Sequence, residues 1–166
     1  KPTGTIGDIG IFSLNRHKTM QTGEGGVAVT SNPIFAERLR LVRNHGEAVL
    51  GDRRQTSHTD IVGCNYRFTE LQAAIAIPQI DRLHSLNMAR VELANMLSEK
   101  IAAFPFLRPP RIRENCTHVY YLYPMLYEKD VLGISRDTFL AALKAEGVHA
   151  ATYVRPVHLL PLFQKL

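Results

Sequence analysis

The apolar positions of this chain fall first into a short, dense run. Residues 5–14, Thr-Ile-Gly-Asp-Ile-Gly-Ile-Phe-Ser-Leu, carry Ile6, Ile9, Ile11, Phe12 and Leu14, a pattern that predicts a buried strand whose glycines permit close backbone packing. Residues 26–30, Gly-Val-Ala-Val-Thr, form a second β-type run. The period then changes. Asn32 is suited to cap a helix and Pro33 to occupy its first position. That helix should run to about residue 44, with Phe35, Leu39 and Val42 on one face and Glu37, Arg38, Arg40 and Arg43 mostly elsewhere. Residues 46–60 are polar and turn-rich, which predicts an exposed loop of the kind that can lie over a site.

Thr69 and Gln72 have the spacing of a capping box and open a long helical pattern over residues 70–103. Pro78 should kink or break that helix near Ile77. A helix of this length is suited to bridge two domains, so a boundary is placed ahead of it: residues 1–68 in one domain, residues 69–166 in the bridging helix and a second. Beyond the proline-rich connector at 105–110, residues 118–126 alternate, with Val119, Tyr121, Tyr123 and Met125 on one side, and predict a strand. Ser135 can cap a helix over 136–146, and Gly147 suits its stop. Residues 148–154 return as a strand. Strand, helix, strand is the order of a small α/β domain. No internal repeat or low-complexity tract interrupts the 166 residues.

Composition narrows this picture only modestly. Twenty Lys+Arg against fifteen Asp+Glu give a net charge of +5, enough to attract anions. The positive residues are spread along the chain, however, and no basic–aromatic interleaving of the RNA-binding kind accompanies them. The densest group, Arg38, Arg40 and Arg43 followed by Arg53 and Arg54, reads as a solvated helix face and a loop. No apolar run is long enough to span a membrane. Cys64 and Cys116 have neither metal-ligand nor disulfide-scaffold spacing, which favours a reducing, cytoplasmic compartment and no metal. The first residues lack the apolar core of a signal peptide, and no initiator Met is present, so the chain is expected to begin inside something larger or after processing.

The chemistry concentrates between the two β-type runs. Lys18 stands five residues after Ser13 and five before Gly23-Glu24-Gly25-Gly26. A lone lysine is ordinarily a solvated charge, but one that follows a buried-type strand can be held rigidly, and partial desolvation favours its neutral, nucleophilic form. Ser13 is an uncharged donor able to bind a phosphate oxygen, or else a strand-end hydroxyl bonded to backbone. The glycines supply unusual φ values and close backbone approach, which ordinary tight turns also need, and their spacing matches neither the Walker nor the dinucleotide-binding motif.

Taken together these residues resemble the sugar aminotransferases of the DegT/DnrJ/EryC1/StrS family. The resemblance rests on Gly7-Asp8, Phe12-Ser13-Leu14, Lys18 and Thr22-Gly23-Glu24-Gly25-Gly26. It continues through Leu41-Val42-Arg43-Asn44-His45-Gly46, Gly63-Cys64-Asn65-Tyr66-Arg67, Glu70-Leu71-Gln72-Ala73-Ala74 and Tyr153-Val154-Arg155-Pro156-Val157-His158. Several ordered blocks over nearly the whole chain are more specific than any one alone. The resemblance implies an α/β fold of the fold type I pyridoxal phosphate-dependent transferases: the C-terminal part of the large domain and most of the small α/β domain.

It also implies roles. Lys18 would hold pyridoxal 5'-phosphate as a Schiff base and then shuttle a proton as general acid–base. Ser13 would bind the cofactor phosphate. Asn65 would reach the phosphate of a neighbouring subunit's cofactor, making a homodimer part of the site. Arg67 either joins it or is a surface charge. Tyr153 and His158 lie in a block that borders a sugar site, with a structural histidine the competing reading for His158. The substrates implied are a nucleotide-linked keto-sugar and an amino donor, glutamate by resemblance. One branch of the family places histidine at the lysine position and dehydrates sugars instead. His17 adjoins Lys18, but both flanking spacings put Lys18 at the cofactor position, which favours amino transfer. The acid that should face the pyridine nitrogen has no counterpart here, since Asp8 belongs to the Gly-Asp block. An internal or truncated segment of a larger enzyme, inactive alone, is therefore expected. The alternatives are the dehydratase and a non-catalytic fragment serving assembly.

Overall fold

The computed structural model describes residues 1–47 and 61–165. Most of the loop expected at 46–60 lies outside the described residues. The chain forms two compact units, Lys1–Asn87 and Met88–Leu166.

In the first unit, β1 (Gly10–Ser13) and β2 (Gly26–Val29) pair antiparallel, from Gly10 opposite Val29 to Ser13 opposite Gly26. The first strand is shorter than the apolar run 5–14. Thr5 donates from both its N–H and its Oγ1 to the Pro2 carbonyl, at 3.2 and 2.7 Å, and Gly4 takes φ +88, so the segment before Asp8 turns instead of extending. Gly10 then packs directly on the Gly4 carbonyl, where a Cβ would not fit. The second strand matches its expected run.

Helix α1 (Pro33–Arg43) begins as its sequence predicts: Asn32 Oδ1 accepts from Ile34 N at 2.9 Å and from Phe35 N at 3.4 Å. Its most buried residue is Leu41, not one of the three apolar positions expected to face inward, and Val42 is exposed. Beyond it the chain turns at His45 and Gly46, both at positive φ, and Asn44 bridges to Asn65.

Helix α2 (Glu70–Ile101) runs 32 residues without interruption. The capping box forms, with Gln72 Oε1 accepting from Thr69 N at 2.9 Å and Thr69 Oγ1 accepting from Gln72 N at 3.2 Å. Pro78 neither ends nor divides the helix. Proline removes the ladder donor to the Ala74 carbonyl, yet the helical backbone continues through it. The sequence places a domain boundary ahead of this helix, at 68/69; the compact units divide within it, after Asn87.

The second unit holds a minimal ladder, β3 (Leu107–Arg108) against β4 (Leu126–Tyr127), then α3 (Lys129–Leu132) and α4 (Arg136–Ala145). Phe106, Tyr127 and Phe139 pack as an aromatic cluster, with centroids 5.0–6.4 Å apart. Ser135 Oγ caps α4 by accepting from Thr138 N at 3.1 Å, and Gly147 takes φ +81 just past its end.

Two expected strands are absent among the described residues. At 118–125, the His118 Nδ1 accepts the Tyr120 N–H at 2.8 Å, and Tyr120 sits at φ +47 with its carbonyl taken by Arg90. Those bonds use the groups a ladder would need, and the left-handed residue breaks the extended run. Tyr123 instead meets Ser98 of α2 through its hydroxyl at 2.7 Å. Residues 148–154 likewise form no ladder; Val148, Tyr153 and Val154 are exposed. The chain closes on a short 3-10 turn at Val157–Leu159 and the single-turn helix α5 (Pro161–Gln164).

Candidate active site

The hairpin formed by β1 and β2 is joined by a twelve-residue connection, residues 14–25, and Lys18 stands on it. The connection is not a loose loop. Backbone bonds close its neck: Leu14 N to Gly25 O at 2.9 Å, Thr22 N to Leu14 O at 2.9 Å, and Arg16 N to Gly23 O at 2.7 Å. Side chains close it again, since Asn15 Nδ2 donates to Glu24 Oε1 at 2.7 Å and Thr22 Oγ1 donates to Glu24 O at 2.9 Å. Leu14 and Thr22 are buried beneath these contacts. Gly25, at φ +152, lets the returning chain pass over Phe68: a Cβ there would come within 2.9 Å of the ring.

Lys18 is half-buried, and its N–H donates to the Asn15 carbonyl at 2.9 Å, closing a tight turn. Ser13 is the last residue of β1, paired with Gly26. Its Oγ accepts from Asn15 N at 3.2 Å, an arrangement that commits a lone pair and not the hydroxyl proton. His17 is engaged otherwise: its Nε2 accepts from Arg16 Nε at 3.2 Å and its N–H donates to Asn15 Oδ1 at 3.1 Å.

The other predicted phosphate ligands form a second cluster in the same unit. The Arg43–Gly46 and Gly63–Arg67 blocks, separate in sequence, lie side by side. Cys64 N donates to Val42 O at 2.8 Å, His45 N to Cys64 O at 3.1 Å and Tyr66 N to Arg43 O at 2.9 Å. Asn65 Oδ1 accepts from Arg67 N at 3.4 Å, and Arg67 Nη1 donates to Asn44 Oδ1 at 2.9 Å. Asn65 and Arg67 are both exposed. The thiol of Cys64 neighbours the Tyr66 phenol; their hydrogen bond and the charge the thiol can carry, with a small contribution from burial, hold the phenol above its ordinary value near 10.

Tyr153 and His158 belong to the second unit. Tyr153 is exposed, and the His158 carbonyl accepts from Gln164 Nε2.

A primary amine and a hydroxyl donor on one braced hairpin suit a group with an aldehyde and a phosphate, as pyridoxal phosphate has. Of the acids nearest to them, Glu24 is bonded through its carboxylate to Asn15, and Asp8 precedes β1. Among the described residues no cluster of metal-ligating side chains forms and no helix is long and apolar enough to cross a membrane.

Sequence reasoning passed over three side chains that brace the site: Asn44, Gln79, and Gln72 beyond its capping role. The repeat of glutamine at positions seven apart on one helix face is the signal that points to the last two.

The sequence model of the DegT/DnrJ/EryC1/StrS aminotransferase family matches residues 1–166. A protein of Methanocaldococcus jannaschii, the uncharacterized protein MJ1066, is 33% identical over 99% of this chain and 44% of its own. The aminotransferase PseC of Helicobacter pylori, involved in the biosynthesis of pseudoaminic acid, superimposes with a TM-score of 0.84 at 26% identity, over 100% of this chain and 44% of its own. The GDP-4-keto-6-deoxy-D-mannose-3-dehydratase of E. coli, solved with bound hydrated pyridoxal phosphate, gives 0.76 at 25% identity, over 90% and 41%. The chain thus spans less than half the length of these proteins, and its fold is that part of a fold type I pyridoxal phosphate-dependent transferase.

Proposed function

Because the chain belongs to the DegT/DnrJ/EryC1/StrS aminotransferase family, we propose that it supplies the lysine-bearing part of an enzyme that transfers an amino group, from glutamate, to a nucleotide-linked keto-sugar. The observation that carries this reading is the bracing of the Lys18 hairpin: its neck is closed by backbone and side-chain bonds, with Ser13 at its base.

Lys18 and Ser13 are the residues that would hold pyridoxal phosphate, Ser13 donating its hydroxyl proton to a phosphate oxygen. Asn65 and Arg67 would serve the phosphate of a second copy's cofactor, which makes the working unit a homodimer. Arg67 brings charge-assisted bonding, and its tie to Asn44 limits the side-chain freedom lost on binding. The cofactor, when bound, supplies the electron sink that lets a C–H bond next to an amine break. Lys18 Nζ takes up that proton and returns it, and the braced hairpin keeps Nζ within reach while it does so. Tyr153 and His158 would contact the sugar.

Similarity to the E. coli dehydratase favours one second reading, cofactor-dependent sugar dehydration. The engagement of His17 with Arg16 and Asn15 weighs against it. A non-catalytic role in assembly is a third possibility that the same experiment decides.

That experiment is the visible absorbance of the intact protein with added pyridoxal phosphate, before and after Lys18→Ala. A borohydride-trappable signal that disappears in K18A supports the reading; a signal that persists removes Lys18 from its role. Product analysis with candidate keto-sugars then separates amino transfer from dehydration, and a cofactor signal with neither product leaves assembly as the function.

A further inference from the structure

Two glutamines of α2 grip the connection that carries Lys18. Gln79 does so reciprocally: its Nε2 donates to Gln21 O at 2.7 Å and its Oε1 accepts from Gln21 N at 3.0 Å. The same Nε2 donates to Ile75 O at 2.8 Å. These bonds use both amide protons and the oxygen, so the side chain has one satisfactory orientation. Seven residues earlier, Gln72 Nε2 donates to Glu24 O at 2.7 Å while its Oε1 accepts from Thr69 N. Gln21 in turn caps Gly23, its Oε1 accepting from Gly23 N at 2.8 Å.

The neck bonds described above hold residues 14–16 and 22–25. The backbone between Lys18 and Thr22 is gripped differently, by the Gln79 amide at Gln21, three residues after the lysine. A lysine amine on a flexible four-carbon stem is placed by its Cα, and a misplacement of about 1 Å at a reacting group costs on the order of 10²-fold in rate.

We propose that Gln79 is a positioning residue for Lys18, with Gln72 as the second anchor, so that α2 sets where the lysine amine stands. The inference rests on Lys18 being the cofactor lysine. It requires no contact between Gln79 and cofactor or substrate.

The test uses the intact protein with Gln79→Met, Gln79→Glu and Gln72→Met. Q79M removes the three bonds at similar side-chain length. Q79E keeps the size and the acceptor but sets a carboxylate against the carbonyls of Gln21 and Ile75. Three quantities are read: hydrogen exchange across residues 19–25 in cofactor-free protein, the affinity for pyridoxal phosphate, and the pH midpoint of the visible absorbance of bound cofactor. Expected for Q79M are about tenfold faster exchange at Gln21, about tenfold weaker cofactor binding and a displaced pH midpoint, with smaller changes in Q72M. The Q79E defect shrinks as pH falls and the carboxyl gains a proton able to donate, while the Q79M defect does not. A general loss of stability would lower the melting temperature of these variants without moving the pH midpoint.

The proposal is overturned if wild-type protein shows the Lys18-dependent absorbance while Q79M and Q79E retain its midpoint and the cofactor affinity. It also falls if the wild type lacks that absorbance or K18A retains it, and either result identifies the functional reading as the failed step. Should Q79M not fold, Q79E with its pH-dependent recovery carries the same decision.

Discussion

Arg67 is fastened to Asn44, its Nη1 donating to Asn44 Oδ1 at 2.9 Å across 23 residues of sequence. The bond turns a long exposed side chain into an oriented one. If Arg67 reaches a phosphate, Asn44→Ala weakens cofactor binding without touching the cofactor. In a double-mutant cycle N44A/R67A is no worse than R67A alone, and the coupling is about 0.5–1.5 kcal/mol. Cofactor titrations of the four proteins measure it; strictly additive losses would mean the two residues act separately.

Gly10 and Gly7 differ sharply in their surroundings although both lie in the apolar run 5–14. A Cβ at Gly10 would lie 1.7 Å from the Gly4 carbonyl, whereas nothing lies within 4 Å of one at Gly7. Gly10→Ala should therefore displace the turn against β1 and cost about 1–3 kcal/mol, and Gly7→Ala should stay within about 0.5 kcal/mol. Urea midpoints at constant slope give the comparison. Equal shifts would show that the turn yields freely.

Gly25 joins a strained φ of +152 to a crowded site, with Phe68 Cε2 and Thr22 Oγ1 each 2.9 Å from a built Cβ. Gly25→Ala is expected to cost about 1–3 kcal/mol. Adding Phe68→Leu should recover part of this, because it shortens the obstructing ring. No recovery in the double variant would assign the cost to the backbone and the Thr22 contact instead of the ring.

The Tyr66 phenol is raised by its hydrogen bond to Cys64 and by that thiol's charge, then by slight burial. A folded-state value above the unfolded one means the folded chain holds this proton more tightly. Its contribution to stability is present below the ordinary tyrosine range and is lost as pH rises through the folded value. Cys64→Ala should lower the midpoint of an ultraviolet phenolate titration toward 10; an unchanged midpoint would remove Cys64 as the cause.

Local chemistry was the most legible level of this chain. Asn32, Thr69 with Gln72, and Ser135 announced helix starts because a cap depends on residues within a single turn, and each forms. Periodicity served less well where a side chain competed for the backbone. Tyr121, Tyr123 and Met125 alternate as strand residues do, yet His118 takes the Tyr120 N–H and the run folds back. Of the two outcomes expected at Pro78, the break does not occur, since a lost ladder bond does not end a helix that is held over 32 residues. The Lys18 motif was visible as spacing. Its bracing was not, because Gln79 meets Gln21 across 58 residues and no local rule connects them.

The paired glutamines also make a measure of length. Seven residues of helix advance about 10.5 Å. The three residues from Gln21 to Glu24 can span at most roughly 10 Å of chain. That stretch bends at Gly23, at φ +79, so the glutamine side chains make up the difference, and helix and hairpin meet at two marks. Surface connections ordinarily accept an added residue at small entropic cost. Here one residue inserted between Gln72 and Gln79 would rotate one mark about 100° away from the other, and one inserted between Gln21 and Glu24 would part the marks along the chain. The stretch from Gln21 to Glu24, which follows Lys18, should therefore be sensitive to any change of length.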